Sequence, residues 1–218
     1  MYPVLTLCGS LRADSLNSRL LRCLPALAPA AFSWRSYDGL GDLPLYDQDL
    51  DTDHPPPPVA RFRRAVADAQ GLVIATPEFN HSLPGVLKNA IDWASRPKAD
   101  PALTGKPIVV LTATPARARG FRGLADTAAL LNELGNIVVP QPQVVVHTAH
   151  RALTLDELGE PRLLDPDAAR LIRVQLHVLG DLLAQDSAGA LLRSIRHHSA
   201  RCDDRPAVAT PATVPTPA

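Results

Sequence analysis

The sequence predicts an α/β fold in which a doubly wound parallel sheet of five strands carries helices on both faces. Short runs of consecutive apolar residues alternate along the chain with segments whose apolar residues recur at helical spacing. Strands that are apolar at every position are typical of a parallel sheet, because helices bury both of its faces. The 218 residues, 46% of them hydrophobic, suffice for one such domain and an extension.

The predicted strands and helices follow one another in regular order. The apolar runs predict strands at residues 4–8, 32–37, 72–75 and 107–112, and a fifth strand from residues 136–139 and 144–146, which prolines interrupt. Helical spacing predicts helices at residues 16–24, 62–69, 85–95 and 122–134. A last helix is predicted to begin after Asp165, whose side chain is suited to cap it.

Two stretches are predicted to lie outside these elements. Residues 55–58 are four consecutive prolines, which predict polyproline II backbone rather than helix, because proline lacks the N–H donor that a helix uses. The predicted domain covers residues 1–185. Residues 186–218 are predicted to form a largely disordered extension, since the chain finishes in Ala, Pro, Thr and Val without periodicity.

Charge and composition exclude several classes of function. Lys and Arg total 22 and Asp and Glu total 22, and this balance argues against broad nucleic-acid binding, which requires a basic face. No apolar run is long enough to predict a membrane-spanning helix, and no secretory signal is recognisable at residue 1. The three cysteines lack metal-ligand spacing, so we expect a reduced, cytoplasmic protein without a metal site.

The loop after the first predicted strand has the composition of a phosphate site. Residues 9–18 combine small residues, hydroxyls, an amide and one guanidinium, and they lead directly into a helix. Free N–H groups at a helix N-terminus, together with such donors, bind phosphate. The alternative is an N-capped helix with polar surface residues. Neither the Walker sequence nor the Gly-x-Gly-x-x-Gly dinucleotide fingerprint is present.

The loop after the third predicted strand is suited to contact a flat ring. Two prolines stiffen residues 76–85, and Phe79 lies among polar neighbours. Such a loop can present backbone N–H and C=O groups to the edge of a ring. If the strand order is 2-1-3-4-5, strands one and three are neighbours where the order reverses, so that the two loops flank one cleft. A phosphorylated planar heterocycle fits that cleft.

Both loops resemble the motifs of the NADPH-dependent FMN reductase family, which is flavodoxin-like and includes bacterial quinone and chromate reductases. The first motif is Gly-Ser-Leu-Arg-x-x-Ser-x-Asn at residues 9–17. The second is Thr-Pro-Glu-Phe-Asn-x-Ser-x-Pro-Gly-x-Leu-Lys-Asn-Ala-Ile-Asp-Trp at residues 76–93. The resemblance covers about residues 1–185. It implies a flavodoxin-like fold of strand order 2-1-3-4-5 that binds FMN noncovalently.

The resemblance also implies which residues bind the cofactor. The FMN phosphate is expected at Ser10, Arg12, Ser15 and Asn17, and Leu16 of the same motif is also expected to contact the cofactor. The isoalloxazine and ribityl groups are expected at Pro77, Glu78, Phe79, Asn80 and Thr114. The chain departs from the family in two places. Phe79 replaces the usual tyrosine, and the loop after the fourth strand has Thr114 followed by Ala, Pro and Arg where the family has serine and several glycines. Residues 44–47 resemble a family loop near the mouth of the site or a subunit contact.

The function implied is an oxidoreductase that passes two electrons from NADPH or NADH through bound FMN to a quinone or similar acceptor in a ping-pong cycle. No catalytic side chain is expected, because the flavin carries the chemistry, and a homodimer or homotetramer is expected. The alternatives are a reductase of free FMN that supplies a partner, an electron carrier of the flavodoxin type, and a flavin-free protein. The neutral charge disfavours the carrier, since flavodoxins tend to be acidic.

Several side chains have two interpretations. Arg117, Arg119 and Arg122 follow the fourth strand, where one of them could bind a phosphate of NADPH or all could be solvated. We interpret Glu78 as a positioning residue rather than an acid–base catalyst. Trp93 is interpreted as a core or interface residue.

Overall fold

The computed structural model describes residues 1–187 and 189–194. Its centre is a parallel sheet of β1 Tyr2–Cys8, β2 Phe32–Tyr37, β3 Gly71–Ala75, β4 Pro107–Ala113, β5 Ile137–Val138 and β6 Val144–Val146. The order is β2-β1-β3-β4-β5, with β6 also paired to β4. The predicted α/β class and strand order are therefore confirmed, and β1 and β3 are neighbours.

The fifth position of the sheet differs from the prediction. Two short strands occupy it instead of one interrupted strand: β5 pairs with the beginning of β4, and β6 pairs with its end. Pro140 and Pro142 lie between them. Proline has no N–H to donate to a strand ladder, so the pairing with β4 stops and resumes.

Helices cover both faces of the sheet, as predicted. They are α1 Leu16–Cys23, α2 Pro57–Asp68, α3 Gly85–Ala94, α4 Phe121–Glu133, α5 Ala149–Ala152 and α6 Pro166–Ala184. Buried side chains of α2, α3 and α4 pack on one face against residues such as Leu5, Leu72 and Ile108. Those of α1 and α6 pack on the other face against Val4, Val73 and Val109. Strand residues alternate between the two cores because successive side chains of a strand point to opposite faces.

The prediction that residues 55–58 exclude a helix is wrong for the last two prolines. Helix α2 begins at Pro57, and Pro56 precedes it with extended backbone, φ −47° and ψ 140°. The first N–H groups of a helix have no partner within the helix. Proline therefore loses nothing in the first turn, and its fixed φ suits that turn.

An antiparallel hairpin, absent from the sequence prediction, follows α5. Its strands are β7 Leu153–Leu155 and β8 Pro161–Leu163. The Oδ1 atom of Asp156 accepts hydrogen bonds from the N–H groups of Leu158 and Glu160 and so closes the turn. Each strand is only three residues long, which gives too little alternation to recognise in the sequence.

The predicted boundary near residue 185 lies just beyond the end of α6. Residues 189–194 are helical. The remainder of the predicted extension, from residue 195 onward, lies outside the described residues. Among the residues described, no helix is both long and apolar enough to span a membrane.

Candidate functional site

A cleft of about 380 Å³ lies at the carboxyl edge of β1, β3 and β4, and we call it the central cleft. Three loops meet there because parallel strands end at the same edge of the sheet. The lining residues are Ser10, Arg12, Ser15, Leu16, Asn17, Pro77, Glu78, Phe79, Ala113, Thr114, Pro115, Ala116 and Arg119. The structure thus brings together nine of the ten residues expected at the cofactor, from three separate loops. Asn80 does not line the cleft.

The first loop presents hydroxyl, guanidinium and backbone donors to the central cleft. Ser15 is the N-cap of α1, with extended backbone, and its Oγ accepts a hydrogen bond of 3.3 Å from the N–H of Ser18. The cap uses an oxygen lone pair, so the hydroxyl proton of Ser15 can still be donated. Arg12 is exposed and carries its charge at the same loop. These groups form the donor set that a phosphate requires.

Gly9 allows the first and third loops to touch. Its N–H donates to the carbonyl of Ala75 at 2.9 Å. A Cβ atom on Gly9 would lie 2.4 Å from the Oγ1 of Thr76, which is fully buried. The close approach of the two loops therefore requires glycine at this position.

Replacing Gly9 with Ala is expected to lower the free energy of unfolding by roughly 1–3 kcal/mol, the usual cost of overpacking. It should also push apart the first and third loops, both of which line the central cleft. Thermal unfolding measures the effect. Gly85→Ala is the control, because a Cβ there meets no atom within 4 Å. Equal stability of the two variants would contradict the conclusion that the close approach of the two loops requires glycine at position 9.

Asn17 joins the start of α1 to the end of β4. Its side chain is 3% exposed. The Nδ2 group donates to the carbonyl of Ala113 at 3.0 Å, and Oδ1 accepts from the N–H of Ala113 at 2.8 Å. The amide oxygen and one amide hydrogen are thus occupied by backbone. Only the second Nδ2 hydrogen can face a ligand, so the side chain mainly positions the cleft wall.

Glu78 joins the third loop to α4. Its Oε2 accepts hydrogen bonds from the N–H groups of Gly120, Arg122 and Gly123 at 3.0, 3.0 and 3.1 Å. The carboxylate therefore caps the N-terminus of a helix that begins 43 residues later in the chain, at Phe121. A Cβ on Gly123 would lie 3.1 Å from the Cα of Glu78, so glycine permits this contact.

The environment of Glu78 favours its charged form. Burial raises the pKa of Glu78, whose side chain is only 9% exposed. The three backbone donors outweigh burial and, with the nearby His81, hold the pKa below its ordinary value. The imidazole Nδ1 of His81 lies 3.7 Å from Oε1. A carboxylate held in this way is a poor proton donor, which agrees with its interpretation as a positioning residue.

Phe79 lies at the rim of the central cleft, at the start of a tight turn. Its N–H and C=O both bond to Ser82, at 2.9 and 3.0 Å. Asn80 and His81 between them have positive φ values of 48° and 66°. Two such residues are typical of a type I′ turn. The turn directs Asn80 away from the cleft lining, while the Phe79 ring remains 56% exposed.

Residues 44–47 are fixed to α3. The carbonyl of Pro44 accepts from Asn89 Nδ2 at 2.9 Å and from Trp93 Nε1 at 2.8 Å. The N–H of Tyr46 donates to Asn89 Oδ1 at 2.8 Å, and its ring meets that of Trp93 edge-on. Trp93 is fully buried, so the structure places it in the core. Leu45 is left 83% exposed on this fixed loop.

The fourth loop contributes residues that were not among the ten expected to bind FMN. Thr114 lines the central cleft as expected, and its Oγ1 accepts from the N–H of Ala116 at 3.2 Å. Ala113, Pro115, Ala116 and Arg119 also line it. Their position directly after a buried strand was the sequence signal that could have identified them as lining residues. Arg119 had been named as one of three arginines that could bind a phosphate, but the glycines expected from the family gave no reason to select Ala113, Pro115 or Ala116.

Known proteins are similar to this chain in sequence and in fold. The model of the family described as NADPH-dependent FMN reductase matches residues 2–151. An NAD(P)H-dependent FMN reductase of Pseudomonas aeruginosa is 39% identical over 176 residues, which are 81% of this chain and 92% of that protein. A 2-hydroxy-1,4-benzoquinone reductase from Burkholderia is 54% identical over 104 residues, 47% of this chain and 55% of that protein.

A solved structure agrees with the fold. The flavoenzyme NAD(P)H:(acceptor) oxidoreductase FerB of Paracoccus denitrificans superposes with a TM-score of 0.73 at 28% identity. The superposition covers 85% of this chain and 99% of that chain. The family model covers more than half of this chain, and the strand order is that of flavodoxin-like proteins. The chain belongs to the NADPH-dependent FMN reductase family.

Proposed function

We propose that this chain is an FMN-dependent oxidoreductase that transfers two electrons from NAD(P)H to a quinone or similar acceptor. The observation that carries the proposal is the central cleft. There the loop after β1, which is suited to a phosphate, meets the loop after β3, which is suited to a flat ring, at the point where the strand order reverses. Membership of the family supports FMN as cofactor and NAD(P)H as electron donor, as the sequence predicted.

The residues of the central cleft fit FMN. Ser10 and Ser15 supply hydroxyls, Arg12 supplies a guanidinium, and the N-terminus of α1 supplies backbone donors for a phosphate. Pro77, Phe79 and Thr114 supply apolar atoms and backbone polar groups on the other walls. When bound, FMN supplies the ability to accept and give up a hydride.

The chain's own residues would then bind and orient the cofactor rather than exchange protons with it. Glu78 is the acidic residue among those that line the cleft, and its Oε2 accepts hydrogen bonds from three backbone N–H groups. Asn17 is occupied by Ala113. The exposed ring of Phe79 provides an apolar surface at the rim for a planar acceptor.

A quinone is the acceptor that the comparisons favour. The relative from Burkholderia is named for the reduction of 2-hydroxy-1,4-benzoquinone, and a relative from Escherichia coli is named a quinone reductase. The chain spans about half of the first of these proteins and 74% of the second. We also propose a cytoplasmic location and assembly as a homodimer or homotetramer, for which the exposed Leu45 offers contact surface.

Purified protein tests the proposal directly. FMN titration should give saturable binding, and the loaded protein should oxidise NAD(P)H with a panel of quinones in parallel-line, ping-pong kinetics. Arg12→Gln should weaken FMN binding by about tenfold or more, because a charge-assisted hydrogen bond contributes about 1.5–3 kcal/mol. Arg64→Gln, an exposed change on α2, is the control.

Different outcomes separate the alternatives. A preparation that takes up no FMN would overturn the proposal and favour a flavin-free protein. FMN binding without NAD(P)H oxidation would favour an electron carrier. If the protein loses FMN on gel filtration but oxidises NAD(P)H when FMN is added in excess, it is a reductase of free FMN.

A further inference from the structure

The thiol of Cys8 lies at the base of the loop that is suited to a phosphate. Cys8 is the last residue of β1, and its half-buried side chain packs on the sheet face that α1 covers. Residues 9–14, which we call the phosphate loop, leave the strand after Cys8 and enter α1 at its N-cap, Ser15. Cys8 and Ser15 therefore stand at the two ends of this loop.

The Cys8 side chain contacts one serine within the phosphate loop and one at its end. Its S–H group donates to the carbonyl of Ser10 at 3.5 Å, and its Sγ lies 3.7 Å from the Oγ of Ser15. Both serines line the central cleft. Ser15 is only 3% exposed, so water does not easily replace its contact with the sulfur. One side chain thus joins the beginning of the phosphate loop to the residue that closes it.

A thiol at this position holds the two serines without competing with a ligand. Its one proton goes to the Ser10 carbonyl, so toward Ser15 the sulfur can act only as an acceptor. Sulfur is a weak acceptor, and the hydroxyl proton of Ser15 therefore stays available to a phosphate oxygen. Burial raises the pKa of Cys8, and the nearby Asp38 acts in the same direction. The thiol is therefore neutral at neutral pH and does not repel a phosphate.

We infer that Cys8 is a positioning residue for FMN, because it fixes the phosphate loop with Ser10 and Ser15 directed at the phosphate. The inference rests on the proposed function. Cys8 acts through the two serines, since it is not among the residues that line the central cleft. Its effect is expected to be confined to the phosphate end of the cofactor, because residues expected at the ring, such as Pro77 and Thr114, belong to other loops.

Two flavins separate this role from a general effect on folding. Riboflavin is FMN without its phosphate, so the ratio of the two dissociation constants measures what the phosphate contributes to binding. The wild type should bind FMN about tenfold or more tightly than riboflavin, because charge-assisted hydrogen bonds would hold the phosphate. Cys8→Ala should reduce this ratio about two- to tenfold, the effect of one neutral hydrogen bond, and leave the affinity for riboflavin unchanged.

Two further variants complete the comparison. Cys8→Ser keeps a donor at the same position and should restore the wild-type ratio. Thr6→Val is the matched control, because Thr6 lies two positions earlier on the same face of β1 and its Oγ1 donates to the carbonyl of Arg35 at 3.3 Å. It removes a hydrogen bond from the same strand but none from the phosphate loop. Thr6→Val should therefore lower the thermal stability and keep the wild-type ratio.

Chemical modification of the thiol supplies a second readout. Cys8 lines a cavity of about 560 Å³ between α1 and β2, so a small reagent can reach its thiol without entering the central cleft. Methyl methanethiosulfonate converts the S–H group into a methyl disulfide and releases methanesulfinate, which removes the donor. The ratio of the modified wild type should fall as it does in Cys8→Ala. Cys8→Ser should not respond, which excludes the other cysteines as the cause.

The outcomes distinguish this inference from the proposed function. An equal fall in the affinities of Cys8→Ala for both flavins would overturn the inference, because the thiol would then act on the fold as a whole. An unchanged ratio in Cys8→Ala, or in wild type whose modification at Cys8 is established by mass spectrometry, would also overturn it. In these cases the wild type still binds FMN and oxidises NAD(P)H, and the proposed function stands. If the wild type binds neither flavin, the proposed function fails and the inference fails with it.

Discussion

Replacing Asn17 with Ala is expected to lower the free energy of unfolding by roughly 2–6 kcal/mol, because two buried backbone groups lose their partners at about 1–3 kcal/mol each. Those groups are the N–H and the C=O of Ala113 at the end of β4. No water replaces the amide easily, since Asn17 is 3% exposed. The same change separates α1 from β4, which together form two walls of the central cleft, and FMN binding should weaken by at least tenfold.

Chemical denaturation and FMN titration measure the two effects of Asn17→Ala. Asn17→Asp refines the result, because a carboxylate still accepts from the Ala113 N–H but repels its carbonyl oxygen. It should be no more stable than the alanine variant. Ser18→Ala, at the next position of α1, is the control. A loss of FMN affinity without a loss of stability would mean that Asn17 acts on the ligand directly.

Replacing Glu78 with Ala is expected to cost about 1–2 kcal/mol of stability, the usual effect of removing a helix cap. The change leaves the N–H groups of Gly120, Arg122 and Gly123 to water. It also frees the fourth loop from the third, so FMN affinity should fall about tenfold. Glu78→Gln should lie between the wild type and Glu78→Ala, because an amide oxygen accepts hydrogen bonds without the favourable charge.

The pH dependence of the free energy of unfolding separates the contribution of the Glu78 charge from the contribution of its shape. Its pKa in the folded protein lies below the ordinary value of 4.5, so the stabilisation is complete above that value and is lost as pH falls through the folded pKa. The stability difference between wild type and Glu78→Gln should therefore be largest at neutral pH and shrink below about pH 4.5. Glu133→Gln, an exposed change at the other end of α4, should show no such trend. A difference that stays constant with pH would mean that the carboxylate charge contributes nothing.

The strands and the three loops of the site were predictable from the sequence, and the family resemblance implied the order of the strands. Each strand is an apolar run of a few residues, and each loop is the polar stretch that follows it, so both are local patterns. Ser15 illustrates this, because a serine before a helical repeat predicts a cap, and its Oγ does accept the N–H of Ser18. Once β1 and β3 are neighbours, the two motifs must flank one cleft.

Contacts between distant residues were decided only by the tertiary structure. By its place in the motif, Asn17 was predicted to donate a hydrogen bond to the phosphate. In the structure its amide is hydrogen-bonded to the backbone of Ala113, 96 residues away. Glu78 was predicted to contact the isoalloxazine or ribityl group, and in the structure its carboxylate caps α4. The two prolines at the start of α2 fit a helix because the first turn needs no N–H donors. The sequence alone determined the strands of the sheet and the loops that form the site, because periodicity is a property of neighbouring residues, and the family resemblance implied the strand order that the structure shows. Only the tertiary structure decided which polar groups remain free to bind a ligand. A hydrogen bond to a backbone group far away in the chain leaves no pattern in the local sequence.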